Sequence, residues 1–452
     1  MRGSRPTGAA SPVLRKLVGL VRDPAPGRVP LVRFVEIELA ESLPTIPVNG
    51  APTVEILVTL HGQPLGKLAV EVRDQPLTPP LLQEALDRAV GEQVKAHLHR
   101  DGIAEPASRR WTGGGTVPPC LRDLEPGAGA SLVSVVIATR GRPARLTACV
   151  DSVLATSYPA LEVIVVDNAP PDDSTQRMVA ERYGTDSRVT YLREERAGAS
   201  LARNLGVRAA RGQIVAFTDD DAVVGPWWVA ALAAGFATDP LVACVTGLTL
   251  PVDLDTPAQQ AFELYGGMTV GYQGRVYDLQ EHRGDTALYP YTAGVFGASN
   301  NAAFRRGPFL DRGGFDVSLG PATPAFSAED LDAFLRVVLD GERILYEPRA
   351  VVRHEHRREF PELYWQVFTY SAGFVALLMK WALADRRVAA DLARRVPRLL
   401  PAALFAAHRG GAEANIGDYP SELRWLERLG YLYGPVAYVR SRVWRTLSQP
   451  IH

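Results

Sequence analysis

The chain has little cysteine, almost no net charge and no long uninterrupted apolar run. Its 452 residues include three cysteines, Cys120, Cys149 and Cys244. They are scattered without metal-ligand spacing, which fits a reducing cytosol and excludes a disulfide framework. A formal charge of -1, from 49 basic and 50 acidic residues, leaves no electrostatic footprint for nucleic acid. Neither a G-x-G-x-x-G after the first strand of the α/β region nor a G-x-x-x-x-G-K-[ST] loop occurs, so two familiar phosphate-binding devices are missing. The segment Val13 to Arg22 lacks the sustained apolar core and small-residue cleavage pattern of a secretory signal. Tyr364 to Ala384 is apolar and aromatic but broken by Gln366, Ser371 and Lys380, so it does not read as a clean membrane span.

The most informative feature present is Ile214-Val-Ala-Phe-Thr218, a short apolar run of strand type, followed directly by Asp219-Asp220-Asp221. Carboxylates ~4 Å apart repel by roughly 4 kcal/mol at an effective dielectric of 20, so such a cluster in a cleft calls for a cation. Hard oxygen ligands suit Mg2+ or Mn2+, metals that also hold substrate phosphates. A solvated turn is the plain alternative.

The surrounding pattern predicts strands at Val133–Ala138, Leu161–Val166, Val189–Leu192 and Ile214–Thr218, alternating with helices at Pro143–Thr156, Asp173–Arg182 and Ser200–Ala210. Strands and helices in this alternation give a parallel sheet with right-handed crossovers. Ligands bind beyond the carboxyl ends of such strands, where Thr139, Asp167 and Asp219 gather.

Ser134-Val-Val-Ile-Ala-Thr-Arg-Gly-Arg142, Val165-Val-Asp-Asn168, Arg196-Ala-Gly-Ala-Ser-Leu-Ala-Arg-Asn-Leu-Gly206 and Phe217-Thr-Asp-Asp-Asp221 resemble, in order and spacing, the motifs of family-2 glycosyltransferases. The resemblance runs from about Ser131 to about Phe374 and implies a GT-A-like α/β domain that uses a nucleoside-diphosphate sugar. It implies that Asp167 binds the nucleotide base, that Arg203 lies near the diphosphate and that Asp219 and Asp221 form a metal-binding D-x-D pair. Side chains two apart in an extended segment share a face, in agreement. Asp220 then points elsewhere, towards ribose or donor sugar. Thr139, Arg142, Asp167, Arg203, Asp219 and Asp220 make up the expected donor-binding set.

Ser327 followed by Asp330, with Leu331, Phe334 and Leu335 behind, has the look of a helix start. Read alone, Glu329 and Asp330 could simply complement a helix dipole. The resemblance instead implies that this pair supplies the catalytic base of an inverting transferase, with Asp330 the choice to take the acceptor proton and Glu329 either orienting the acceptor or holding Asp330. Asp332 and Arg336 are spaced for an i,i+4 ion pair. Downstream lies Val351-Val-Arg-His354-Glu-His356, and the resemblance points to His354, rather than His356, as completing the metal site. An imidazole ligand tilts the preference towards manganese. Phe296–Arg305 and Gly313–Gly320 resemble the segments that shape the donor-sugar and acceptor pocket, with Asn300 and Asn301 offering amides to sugar hydroxyls.

The expected organisation is a flexible tail over 1–28, a small α+β accessory domain over 29–101, a Gly- and Pro-rich linker over 102–130 that includes Gly113-Gly114-Gly115, the GT-A-like domain over 131–358, and a helical region over 359–452. Arg386, Arg387, Arg394, Arg395 and Arg398, then Tyr431 to Trp444, combine basic and aromatic residues. Two readings stay open for them: peripheral membrane contact, or a packed cap with a solvated basic face. No Q-x-x-R-W signature lies near Gln366, which separates the chain from membrane-embedded processive synthases and predicts transfer of one or a few sugars. The expected protein is a cytoplasmic, metal-dependent, inverting glycosyltransferase, working free or at the inner membrane face on a glycan, lipid-linked or small-molecule hydroxyl acceptor. A sugar-phosphate nucleotidyltransferase and a non-catalytic nucleotide-sugar-binding protein are the alternatives.

Overall fold

Alternating apolar residues give the N-terminal sheet a face that packs on a helix of its own. Strands β1 (Val32–Glu38), β2 (Thr53–Leu60) and β3 (Gln63–Glu71) lie in that order, β1 and β2 parallel, β2 and β3 antiparallel. Val54, Ile56, Val58 and Leu60 share one face and bury against Leu82, Leu86, Val90, Val94 and Leu98 of the helix Pro79–Arg100. The opposite face, through Leu57, joins the core of the larger domain. The chain turns between β2 and β3 at His61-Gly62, both at positive φ, and β3 starts at Gln63.

This computed structural model describes residues 32–48, 50–72, 75–103, 117–127, 129–264, 266–399 and 420–448, together with Val18, Val21 and Val29. The expected tail over 1–28, Val18 and Val21 apart, and the triplet Gly113-Gly114-Gly115 lie outside the described residues, as does the side chain of Arg398. Val18 and Val21 pack against the C-terminal helices, so this part of the expected tail is held to the fold.

Among the described residues the larger domain is built on a nine-stranded sheet. Strands β4 (Val133–Thr139), β5 (Leu161–Asn168), β6 (Val189–Glu194) and β7 (Ile214–Asp219) form its parallel half, in the order β7-β4-β5-β6. The other half holds β8 (Ala222–Val224), β9 (Val242–Pro251), β10 (Arg275–Tyr277), β11 (Ala302–Arg305) and β12 (Arg343–His354). Here only β9 and β12 run parallel, and β11 joins the halves by pairing antiparallel with both β7 and β9. Within β4, Val133, Val135 and Ile137 face one apolar layer and Val136 the other. Helices Pro143–Leu154 and Trp228–Thr238 cover the first face; Ala199–Ala209 and Glu329–Leu339 cover the second.

Two long helices, Phe360–Ala384 and Ser421–Ser448, pack together beyond the sheet. A side-chain carbon at Gly430 would lie 2.5 Å from the Phe368 carbonyl oxygen, so only glycine permits this crossing. Helix Phe360–Ala384 is, against the expectation from its polar interruptions, long and apolar enough to cross a membrane, and half of its most apolar stretch is buried within the protein.

Candidate active site

Strand ends deliver the acidic cluster. In the β4–β7 register Asp219 lies beside Ala138, and in the β4–β5 register Asp167 lies beside Thr139. The chain reverses at Asp220-Asp221 into β8, whose Ala222 pairs with His354 at the end of β12. The Glu355 N–H donates to the Asp221 carbonyl at 3.0 Å, fixing the two turns together. One ligand atom each from Asp219, Asp221 and His354 therefore falls within 4.8 Å of the others. His354 Nε2 is 3.1 Å from Asp221 Oδ1. Burial opposes charge on both, but their hydrogen bond and mutual attraction win, raising the imidazole pKa and holding the Asp221 carboxyl far below its usual range. His356 turns away to Glu263, 2.8 Å distant, so of the two histidines His354 is the one in the cluster.

A shell of cations surrounds these carboxylates. Arg142 reaches Asp220 at 3.3 Å and Asp221 at 3.4 Å, while Arg145 and Arg357 approach Asp221 at 3.9 and 3.8 Å. Arg145 and Arg357 are absent from the sequence-derived set. Arg145 sits one helical turn beyond Arg142, a spacing that could have disclosed it.

The acid pair joins the cluster through one guanidinium. Buried Arg203 donates from Nη2 to Asp219 Oδ1 at 2.9 Å and from Nη1 to Glu329 Oε1 at 2.7 Å. Its charge sits 5.7 Å from the Phe315 ring centre, and both carboxylates hold its pKa above the usual guanidinium value despite burial. Glu329 is buried, and burial together with the neighbouring Asp330 pushes its carboxyl pKa upward against the pull of Arg203. Gly320 makes this possible: at φ +97, an added Cβ would lie 2.9 Å from Glu329 Cδ. Asp330 is only half-buried, and its Oδ2 accepts the Ser299 N–H at 3.1 Å. Behind it Asp332 pairs with Arg336 at 3.2 Å, as the spacing predicts, and with Lys380 at 2.6 Å.

Four expectations need correction. Ser327 does not cap the helix: Ala328, at φ 76, is the capping residue, and the Ser327 hydroxyl donates to the Thr369 carbonyl at 3.0 Å. Asn301 is fully buried, accepts from Trp228 Nε1 at 2.8 Å and donates to the carbonyls of Leu248 and Ala350 at 3.0 and 2.8 Å, so both amide hydrogens are used inside the core. Asn300 is likewise buried and accepts from Thr249 Oγ1 at 3.2 Å. Asp220 and Thr139 use their polar atoms on each other, at 2.7 Å, rather than reaching towards ribose or sugar. Burial and then Asp221 raise the Asp220 pKa to about 6.

Asp167 is fully buried at the end of β5, where Oδ2 accepts from the Tyr191 hydroxyl at 3.1 Å and Oδ1 has no protein hydrogen-bond partner. Asn168 shapes the adjoining loop, its side chain accepting from the Gly198 N–H at 2.9 Å and donating to the Arg196 carbonyl at 2.8 Å. On helix Phe360–Ala384, Gln366 donates to the Tyr370 hydroxyl at 2.9 Å, and Tyr370 lies close enough to Asp330 and Asp219 to feel their charge. Sequence gave no signal for Tyr370. An open cavity of about 580 Å³ lies elsewhere, lined by Lys67, Tyr272, Gln273 and Tyr346, and contains none of these acidic residues. Converging ligand atoms and charges mark the site, and cavity size does not.

Residues 134–309 match the family model described as Glycosyl transferase family 2. The chain is 29% identical over 266 residues to a glucosyl-dolichyl phosphate glucuronosyltransferase of Haloferax volcanii, spanning 56% of this chain and 80% of that one. It is 29% identical over 230 residues to a pre-mycofactocin glycosyltransferase of Mycobacterium tuberculosis, spanning 50% of this chain but only 43% of the relative. Among solved structures, the mannosyltransferase PcManGT of Pyrobaculum calidifontis, in complex with GDP-Man and Mn2+, matches with a TM-score of 0.45 at 21% identity, over 71% of this chain and 88% of that one.

Proposed function

The chain belongs to the family-2 glycosyltransferases, and we propose that it moves a sugar from a nucleoside-diphosphate sugar to an acceptor hydroxyl with inversion at the anomeric carbon. The observation that carries this reading is the Arg203 bridge, which sets the acid pair beside the aspartate–histidine cluster.

Asp219, Asp221 and His354 fit a divalent metal: two carboxylate oxygens and an imidazole nitrogen converge within 4.8 Å. A cation there, Mn2+ before Mg2+ on the imidazole ligand, would offset the negative charge of the departing diphosphate. Arg142, Arg145 and Arg357, which lie around Asp221, would bind the phosphate oxygens, and Asp167 would accept an N–H from the base. Asp330 takes the acceptor proton as the hydroxyl oxygen bonds to the anomeric carbon and the carbon–diphosphate oxygen bond breaks. Arg203 holds Glu329 away from that proton and leaves Asp330 as the open carboxylate.

The acceptor we propose is lipid-linked and met at a membrane surface. The Haloferax relative acts, by its name, on a dolichyl phosphate sugar. In this chain Trp425, Leu432, Val436, Val439 and Val443 lie on one face of helix Ser421–Ser448, all about half exposed or more. Exposed Arg428, Arg440 and Arg442 lie on the same helix.

Asp330→Asn tests the mechanism. Affinity for a nucleoside diphosphate should hold while transfer falls about 10^2-fold or more, the usual scale for a general base. Transfer near the wild-type rate would place the base elsewhere.

A further inference from the structure

Far from the acid pair, four side chains of the metal-ligating kind meet inside the N-terminal unit: His61 in the β2–β3 turn, His97 and Asp101 at the end of helix Pro79–Arg100, and Cys120 in the segment leading to β4. We propose that these four form a tetrahedral site for Zn2+ or a similar divalent transition metal, clipping the N-terminal unit to the segment that enters the catalytic sheet.

The distances are those of a ligand shell. Metal–nitrogen and metal–oxygen bonds of 2.0–2.1 Å and a metal–sulfur bond of 2.3 Å put tetrahedral edges at about 3.3–3.4 Å between N or O donors and about 3.6 Å between S and N. His97 Nε2 and His61 Nδ1 are 3.3 Å apart, His97 Nε2 and Asp101 Oδ2 3.4 Å, and Cys120 Sγ and His61 Nδ1 3.6 Å. One edge is short, His61 Nδ1 to Asp101 Oδ2 at 2.6 Å, and a bound ion would open it by about 0.7 Å. His61 Nδ1 and Asp101 Oδ2 form a close ion pair, and a metal bound by both would take the place of that contact.

The chemistry of the donors agrees. Cys120, His97 and Asp101 are buried, and the side chain of His61 is 2% exposed. A neutral imidazole and a thiolate are the ligating forms of His97 and Cys120, and the Cys120 thiol would lose its proton to solvent on binding. Thiolate and carboxylate together would neutralise a divalent ion, which suits an enclosed site.

The second coordination sphere is also built. Asp101 Oδ1 accepts the Cys120 N–H at 2.7 Å, and the Cys120 carbonyl accepts from Gln63 Nε2 at 2.9 Å. Arg349 of β12 pairs with Asp123, 2.8 Å away, three residues beyond Cys120. The site therefore links a turn, a helix end and the inter-domain segment to β12 of the catalytic sheet. Spacing hides it, because the ligands stand at positions 61, 97, 101 and 120 and form no compact motif.

The test is a Co2+ titration of the full-length, chelator-stripped protein, read by visible and near-ultraviolet absorption. A thiolate-to-cobalt charge-transfer band saturating at about one equivalent, and displaced by Zn2+, is expected. Cys120→Ser should abolish that band, whereas Asp221→Ala, which alters a cluster with no sulfur, should retain it. Absence of the band in the wild type, or its survival in Cys120→Ser, would overturn the proposal and leave a hydrogen-bonded His–Asp–His network. Should Cys120→Ser fail to fold, Asp101→Asn serves instead: Co2+ affinity at the thiolate site should fall at least about tenfold, and unchanged affinity would also overturn it.

Discussion

Glu329 and Asp330 are adjacent in sequence and opposite in surroundings. The first side chain is buried against Arg203, the second is half open and anchored by the Ser299 N–H. Sequence analysis assigns the proton to Asp330 and a supporting part to Glu329, but the surroundings that separate the two depend on which carboxylate meets a guanidinium 126 positions away, which local spacing does not show. The same limit explains Asn300 and Asn301. A small polar run in a glycine-rich stretch looks like ligand-binding loop, and only the sheet shows that Asn301 ties Trp228 to the carbonyls of Leu248 and Ala350. Asn301→Ala leaves an indole N–H and two carbonyls without their partner in the core. It should therefore lower unfolding stability by about 2–4 kcal/mol in denaturant titration. A variant as stable as wild type but with raised donor KM would restore Asn301 to the substrate pocket.

At the level of elements, the parallel half of the sheet was legible because its strands are short runs of apolar and β-forming residues separated by helices of ordinary length. Helix bounds fell within about two residues, as for Pro143–Leu154 and Ser174–Tyr183. The antiparallel half was not legible. Strands such as β8 and β10 have three residues each, too few to show a period, and β11 gains its place by pairing with β7 and β9. Helix Ser421–Ser448 was read as basic and aromatic, but its apolar face could not be assigned to core or solvent. The structure buries Leu423, Leu426 and Ala437 and exposes Leu432, Val436, Val439 and Val443. Deleting the helix would thus remove core as well as surface, so substitution is the cleaner probe of membrane contact. Leu432→Glu with Val439→Glu should reduce sedimentation with anionic liposomes at least about fivefold while leaving the melting temperature within about 2 °C, since both side chains are exposed. Liposome binding unchanged by the pair, or absent from the wild type, would favour a soluble acceptor and a packed helical cap.

At the scale of the whole molecule, the catalytic sheet sits between two attachments that grip it near the site. Glu36 of the N-terminal unit pairs with Arg353 at 2.7 Å, next to His354, and the Gln260 amide bonds both backbone groups of Val32. On the other side, Lys380 and Trp381 of helix Phe360–Ala384 hold Asp332, two positions beyond Asp330. The central claim is that Asp219, Asp221 and His354 hold a metal that serves nucleotide-sugar chemistry. Product analysis tests it most directly: the full-length protein is incubated with a panel of nucleoside-diphosphate sugars, with Mn2+ or with chelator, and released nucleotides are separated by chromatography. A nucleoside diphosphate should be released from a matching donor only with metal, and release should fall about 10^2-fold or more in Asp221→Ala. Metal-independent release, or pyrophosphate formed instead from a nucleoside triphosphate and a sugar phosphate, would contradict it.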